Sequence, residues 1–198
     1  MNKKETIHVV LVVGRTGAGK DHVINLLRDY IMCSTEVISY TTRKKKDWET
    51  NGLEHFFISD EEADRLLSTE HILARTQIGP YRYFATAEAL QPKLLNFYII
   101  DPKGVYYFQE MAKLFGREYN IKSTVLYVKC PTIVRFWRGI VKRCDNPITF
   151  WKRNRAEHKM FKEFEKSGEV DYIYESTFTN DDELFDLSRD LLTGKYEQ

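Results

Sequence analysis

GRTGAGKD, residues 14–21, places glycines first, fourth and sixth and a lysine seventh, directly after the apolar run IHVVLVV of residues 7–13. A turn without Cβ atoms lets backbone N–H groups converge on one anion, and a helix starting there adds the positive end of its dipole. Behind the loop, Val23, Ile24, Leu27, Tyr30 and Ile31 recur at helical spacing. Strand, glycine turn and apolar-faced helix together predict a phosphate cradle formed by Gly14, Arg15, Thr16, Gly17, Ala18, Gly19, Lys20 and Asp21. Lys20 is expected to reach the β- and γ-phosphates of a bound triphosphate. Asp21 stands where such loops usually carry a magnesium-ligating Ser or Thr; a carboxylate oxygen is also a hard ligand, so Asp21 is the candidate for Mg²⁺.

The bulk properties bound what this loop belongs to. A chain of 198 residues, 42% hydrophobic, fits one folded domain with a small insertion. The formal charge is +1, so no global field recruits nucleic acid or an anionic membrane. Cys33, Cys130 and Cys144 are widely spaced and form no C-x-x-C pair, which argues against a disulfide framework and a zinc site and points to a cytoplasmic setting. The opening MNKKETIHVVLVVG reads as a buried strand rather than a signal peptide, because its short apolar run enters the glycine loop instead of a cleavage site. No stretch approaches the roughly 20 apolar residues of a membrane helix.

Two further apolar runs, LLNFYIID (94–101) and STVLYV (123–128), precede helical patterns that begin near Pro102 and Pro131. That alternation predicts an α/β fold, a mainly parallel sheet flanked by helices. Residues 36–85 differ, with strand-like pieces EVISYTT, HFFIS and YRYFAT, a basic loop RKKKDWETNG and a short helix near 60–68. They read as a β-rich insertion, leaving a core of 1–35 and 86–198. The loop VKRCDNP precedes one long helical run over 147–166, so 138–152 is expected to form a lid, and a last helix is expected over 181–192. Trp48, Trp137, Trp151, Phe161 and Phe164 are expected to pack in the core or at the lid hinge.

The segment ISYTTRKKKDWETNGLEHFFIS (38–59) closely resembles the signature of the guanylate kinase family, P-loop nucleoside monophosphate kinases. The resemblance continues through YRYFAT, IIDPKG, KRNRAEHKMF and DYIYES, covering about residues 7 to 176. It implies transfer of the γ-phosphoryl of ATP to GMP, dGMP or a related acceptor with Mg²⁺. The implied partners are small-molecule nucleotides, on a monomer or homodimer. Arg43 and Lys46 resemble the clamp on the acceptor monophosphate, with His55 and Tyr83 where the family places tyrosine hydroxyls. Ser39 and Asp101 match positions that read the guanine edge, and Glu49 stands in the ETNG turn of the acceptor pocket. Arg143 resembles the lid arginine over ATP, and Arg153 the helix arginine bridging the two phosphates; with Lys20 they are the implied catalytic residues.

Two departures bear on specificity. The family's other base-reading glutamate aligns with Ala74, and losing a charge-assisted bond of about 1.5–3 kcal/mol relaxes guanine preference unless Glu49 or Glu70 compensates. The first acid of the family's D-x-D pair is Ile99 here, so Asp21 is expected to take over acidity lost there. The lysine–aspartate loop also resembles that of ribose 1,5-bisphosphate phosphokinase, and a non-catalytic guanylate-kinase-like binding module is a third possibility. The intact SYTTR and ETNG segments speak against the sugar-phosphate reading. Lys20, Arg143 and Arg153 speak against the inert one.

Overall fold

The computed structural model describes residues 5–117, 120–142, 146–177 and 182–193. Strand β1 (Thr6–Val13) buries its last five residues, as befits a strand covered on both faces. Helix α1 (Lys20–Tyr30) leaves the glycine loop and buries Val23, Ile24 and Leu27. Next come β2 (Ser34–Glu36), β3 (Tyr40–Thr41), β4 (Phe56–Phe57), α2 (Asp60–Thr69), β5 (Ile72–Ile78), β6 (Tyr81–Thr86) and β7 (Leu95–Ile100). The chain continues through α3 (Pro102–Leu114), β8 (Asn120–Lys129) and α4 (Thr132–Trp137), which runs into a π-helical turn, Arg138–Lys142. Helix α5 (Pro147–Phe164), β9 (Tyr172–Glu175) and α6 (Asp182–Thr193) complete it.

Five strands form a mainly parallel sheet in the order β2-β7-β1-β8-β9, with β9 parallel to β8 and Leu126 opposite Tyr172. The segment expected as one strand over 36–42 is divided: β2 belongs to this sheet and β3 to a second, ordered β4-β3-β6-β5. Backbone proximity groups the chain into two compact units, residues 1–9 with 35–123 and residues 10–34 with 124–198. The expected insertion, 36–85, falls wholly in the first.

In the first unit β6 runs antiparallel to both β3 and β5, and Ala63, Leu66, Ile72 and Phe84 form a small core against Tyr40, Ile58, Leu67 and Tyr107. Tyr40 stacks on Phe56 at 5.1 Å and on Phe84 at 5.3 Å. Strand β5, which the sequence reading did not single out, packs on α3, with Arg75 over the Tyr107 ring. Asn96 is fully buried and satisfied: its Oδ1 accepts from Gln91 N, while Nδ2 donates to the carbonyls of His8, Gln91 and Leu94.

In the second unit α1 packs on α6, where Tyr30, 42% exposed, meets Phe185 edge-on. Phe161 and Phe164 are buried near Tyr127, as expected. A core position for the tryptophans is corrected, since Trp48, Trp137 and Trp151 all lie exposed. Trp48 lies beneath the Lys46 ammonium, and Trp151 packs against Phe136 and Phe150. Of the expected lid, 138–142 is the π-helical turn and 147–152 opens α5, capped by Asn146 with Pro147 in its first turn. Arg143 and Cys144 lie outside the described residues.

Asn96→Ala strands one buried amide and three carbonyls. Urea unfolding should show a loss of about 2–4 kcal/mol with an unchanged denaturant slope.

Candidate active site

The loop conformation accounts for its glycines. Gly17 and Gly19 hold φ of 80° and 91°, where a side chain is strained, and a Cβ on Gly14 would meet the Val128 carbonyl oxygen at 2.7 Å. Gly19 is the N-cap of α1 and has no side chain to cap its first turn, at the positive end of the helix. Lys20 Nζ donates to the carbonyl oxygens of Gly14 at 2.8 Å and Arg15 at 3.4 Å, folding over the loop it would serve. Asp21 lies exposed in the first turn of α1, where the dipole favours a carboxylate.

Three side chains missed by the sequence reading grip this loop. Arg138 Nη1 donates to Ala18 O at 3.1 Å and Ser176 Oγ at 3.0 Å, and Nη2 to Thr177 O at 3.3 Å. Arg135, 1% exposed, donates to Thr16 O, Cys130 O, Thr132 Oγ1 and Asn154 Oδ1 at 2.7–3.3 Å. Burial, then the like charge of Arg15, pushes the Arg135 pKa down, though a guanidinium stays protonated in proteins. Glu157 takes the Thr16 hydroxyl at 2.6 Å and the Thr16 N–H at 3.2 Å. Arg15 lies over the Phe161 ring at 5.6 Å, and its Nη2 donates to His158 O at 3.4 Å. Arg135 and Arg138 are nearly one turn apart in RFWR, and Glu157 lies one turn after Arg153. Charges at those spacings read equally as a solvated helix face.

Of the expected transfer residues, Arg153 is exposed on the first half of α5. A cavity of about 230 Å³ lined by Arg15, Tyr127, Arg135, Glu165 and Glu175 meets the loop only at Arg15, so it is not the phosphate cradle.

The expected acceptor residues all belong to the first unit. Arg43 and Glu49 form a bidentate pair at 2.8 Å and 2.8 Å, and Arg43 Nε donates to Tyr83 OH at 3.2 Å. Glu49 also accepts from Lys46 N at 2.7 Å, while the Lys46 ammonium lies over the Trp48 ring at 5.1 Å. The Arg43 guanidinium, more than the opposing effect of burial, draws the Glu49 pKa down to about 2. The Glu49 carboxylate, the residue expected in the acceptor pocket, thus orients the Arg43 guanidinium in this structure. Ala74 itself is buried opposite Ala85.

Ser39 Oγ and His55 Nδ1 lie 2.8 Å apart, and the His55 ring meets Tyr83 at 5.6 Å. Burial, then the Arg43 charge, pushes the His55 pKa down, which favours the neutral ring, a hydrogen-bonding group without charge. Asp101 caps α3 by accepting from Gly104 N at 2.7 Å and takes the Thr76 hydroxyl at 2.9 Å. The second contact, from an unsuspected strand, holds its carboxylate in place.

Among the described residues no three His, Cys, Asp or Glu side chains gather as a metal cage. Magnesium asks for less, since it keeps several waters and takes other ligands from phosphate oxygens. The carboxylate of Asp21, beside the cradle, fits that kind of site.

A glycine cradle at a helix N-terminus, following a strand of a mainly parallel sheet, defines a phosphate-binding protein of the P-loop kinase class. The guanylate kinase family model matches residues 6–182, and the chain belongs to the guanylate kinase family. It is 32% identical to a guanylate kinase of Campylobacter jejuni over 83% of this chain and 78% of that one, and 28% identical to one of Mycoplasmopsis synoviae over 87% and 88%. With two other guanylate kinases the chain spans only 43% and 37% of the relative's length. The crystal structure of guanylate kinase from Anaplasma phagocytophilum shares the fold, with a TM-score of 0.63 and 18% identity over 98% of this chain and 89% of that one.

Glu49 carries a pH signature. Its carboxylate is stabilised in the folded state, so its contribution, on the order of 3 kcal/mol, is full above the ordinary value near 4.5 and fades as pH falls toward about 2. The difference in unfolding free energy between the natural chain and Glu49→Gln should stay constant from neutral pH to about 5, then shrink.

Proposed function

We propose that the chain transfers the γ-phosphoryl group of ATP to GMP, dGMP or a closely related nucleoside monophosphate. The observation that carries the reading is the cradle: left-handed glycines at an α-helix start without a side-chain cap, with Lys20 folded over them, in a chain matched to the family from residue 6 to 182. An oxygen of the acceptor phosphate bonds to the γ-phosphorus as the bond to the β,γ-bridging oxygen breaks, leaving ADP and a nucleoside diphosphate. Such a transfer asks for positioning and positive charge rather than a protein nucleophile. Lys20 exchanges its carbonyl partners for phosphate oxygens and follows the charge onto ADP. Arg43, pre-shaped by Glu49 and joined by Tyr83, holds the acceptor phosphate, and Lys46 adds a second cation. Neutral His55, with Ser39, supplies hydrogen bonds without further charge. Asp101, held by Thr76, accepts from the base edge.

Arg143 and Arg153 are the further cations of the transfer in this reading, and Arg138 joins the ATP side. Asp21 holds Mg²⁺ directly or through water, and the ion supplies charge neutralisation on the triphosphate. We assign the reaction to the cytoplasm on the cysteine pattern; Cys33 and Cys130 are free thiols.

A coupled ADP-release assay with ATP and a panel of nucleoside monophosphates and ribose 1,5-bisphosphate tests this. Turnover on GMP or dGMP is expected. Activity confined to the sugar phosphate, or nucleotide binding without turnover on any acceptor, would reject it. Replacing Asp21 by Ala should raise the magnesium concentration for half-maximal turnover at least about five-fold, and an unchanged magnesium dependence would remove Asp21 from the metal site.

A further inference from the structure

Thr16 of the phosphate loop is held at three atoms from outside the loop. Its N–H and hydroxyl go to Glu157 at 3.2 Å and 2.6 Å, and its carbonyl takes a hydrogen bond from buried Arg135 at 3.3 Å. Arg135 in turn donates to Asn154 at 2.7 Å, while Arg15 reaches His158 O and lies over Phe161. Residues 154, 157, 158 and 161 follow the i, i+3, i+4, i+7 spacing, so one face of α5 is given over to residues 15 and 16 and to the arginine behind them.

The chain on the far side of Thr16 is intrinsically loose. Gly17 and Gly19 sit at positive φ, and ordering such residues costs about 1–2 kcal/mol each in backbone freedom. Both Thr16 donors are thus occupied, and the Ala18 N–H goes to Arg15 O at 3.0 Å, so the loop backbone is fixed at residues 15–18 before any anion arrives. The grip therefore sets the register in which phosphate oxygens meet the backbone. It does so with a carboxylate, a group that by charge alone repels a triphosphate, and Arg15 and Arg135 offset that charge.

We infer that Glu157 is a positioning residue: by holding the Thr16 N–H and hydroxyl it seats α5 on the shoulder of the phosphate loop and pre-shapes the loop for ATP. This rests on the reading of residues 14–21 as a triphosphate cradle. The same seat fixes the helix that carries Arg153, one turn before Glu157, so the grip that shapes the cradle also places that arginine's backbone.

The sign of the effect separates this role from simple electrostatics. Affinity for ATP, and for a non-hydrolysable β,γ-imido analogue, is read by calorimetry with no acceptor present, and thermal unfolding of each variant is followed in parallel. Glu157→Ala should weaken ATP about ten-fold, the scale of one charge-assisted hydrogen bond. Glu157→Gln, which keeps one acceptor, should fall between. Thr16→Val should resemble Glu157→Ala, and the double variant should be no worse than either single one. In turnover, KM for ATP should rise while KM for the acceptor holds. ATP affinity that is unchanged or tighter in Glu157→Ala, or effects that add in the double variant, would overturn the inference. So would a lowered melting temperature with normal ATP affinity, which marks a purely structural contact. Because the affinity is measured without an acceptor, failure of GMP turnover in the natural chain counts against the acceptor reading and not against this one.

Discussion

A bundle of backbone N–H groups can hold a phosphate only if side chains stay out of its way and something else keeps the backbone in shape. Gly17 and Gly19 meet the first demand by adopting left-handed φ, and Gly14 meets it by lying where a Cβ would strike the Val128 carbonyl. Glycine meets that demand at the expense of rigidity. The second demand is met from elsewhere in the same unit, by Arg135, Arg138 and Glu157, which bond loop carbonyls, an amide and a hydroxyl. Those bonds hold the loop at Thr16 and Ala18.

The first unit applies similar logic to a side chain. An arginine meant for a phosphate dianion gains from being held in one orientation, because its planar fork recognises an oxyanion only from the right direction. Glu49, Tyr83 and the Lys44 carbonyl hold Arg43 in that way. Glu49 takes part of the positive charge in the resting state, and His55, kept neutral by burial and by Arg43, adds none. The first unit thus has an oriented cation of moderated strength rather than a cluster of bare charge. The basic run RKKK overstates it: Lys45 binds the Glu49 carbonyl, and Lys46 lies over Trp48.

Much of this was legible in the sequence. The Val- and Ile-rich run before residue 14 could be little else than a doubly covered strand, and Pro102 and Pro131 marked helix starts within a residue. Strand β5 was not legible, because ILARTQI carries neither clean alternation nor turn residues at both ends, and its place comes from pairing with β6. The division of EVISYTT between two sheets was hidden for the same reason: propensity says that a segment is extended, not which neighbour it joins. The three tryptophans misled because large aromatic rings are assumed to be buried, while here they lie on exposed surfaces.

The sequence by itself determined the chemistry available: a glycine loop shaped to wrap an anion, a lysine at its end, a basic run with an arginine fork, and carboxylates at Asp21, Glu49 and Asp101. These follow from covalent structure, from missing Cβ atoms and fixed charges, and no fold is needed to see them. Tertiary structure alone decided which partner each charge takes. Glu49 was diverted to Arg43, Asp101 was tied to Thr76, and Glu157 and two arginines from helices far along the chain were recruited to the loop. A charge takes its role from the partner within about 3 Å, and that partner is set by packing across long sequence separations, to which local pattern is blind.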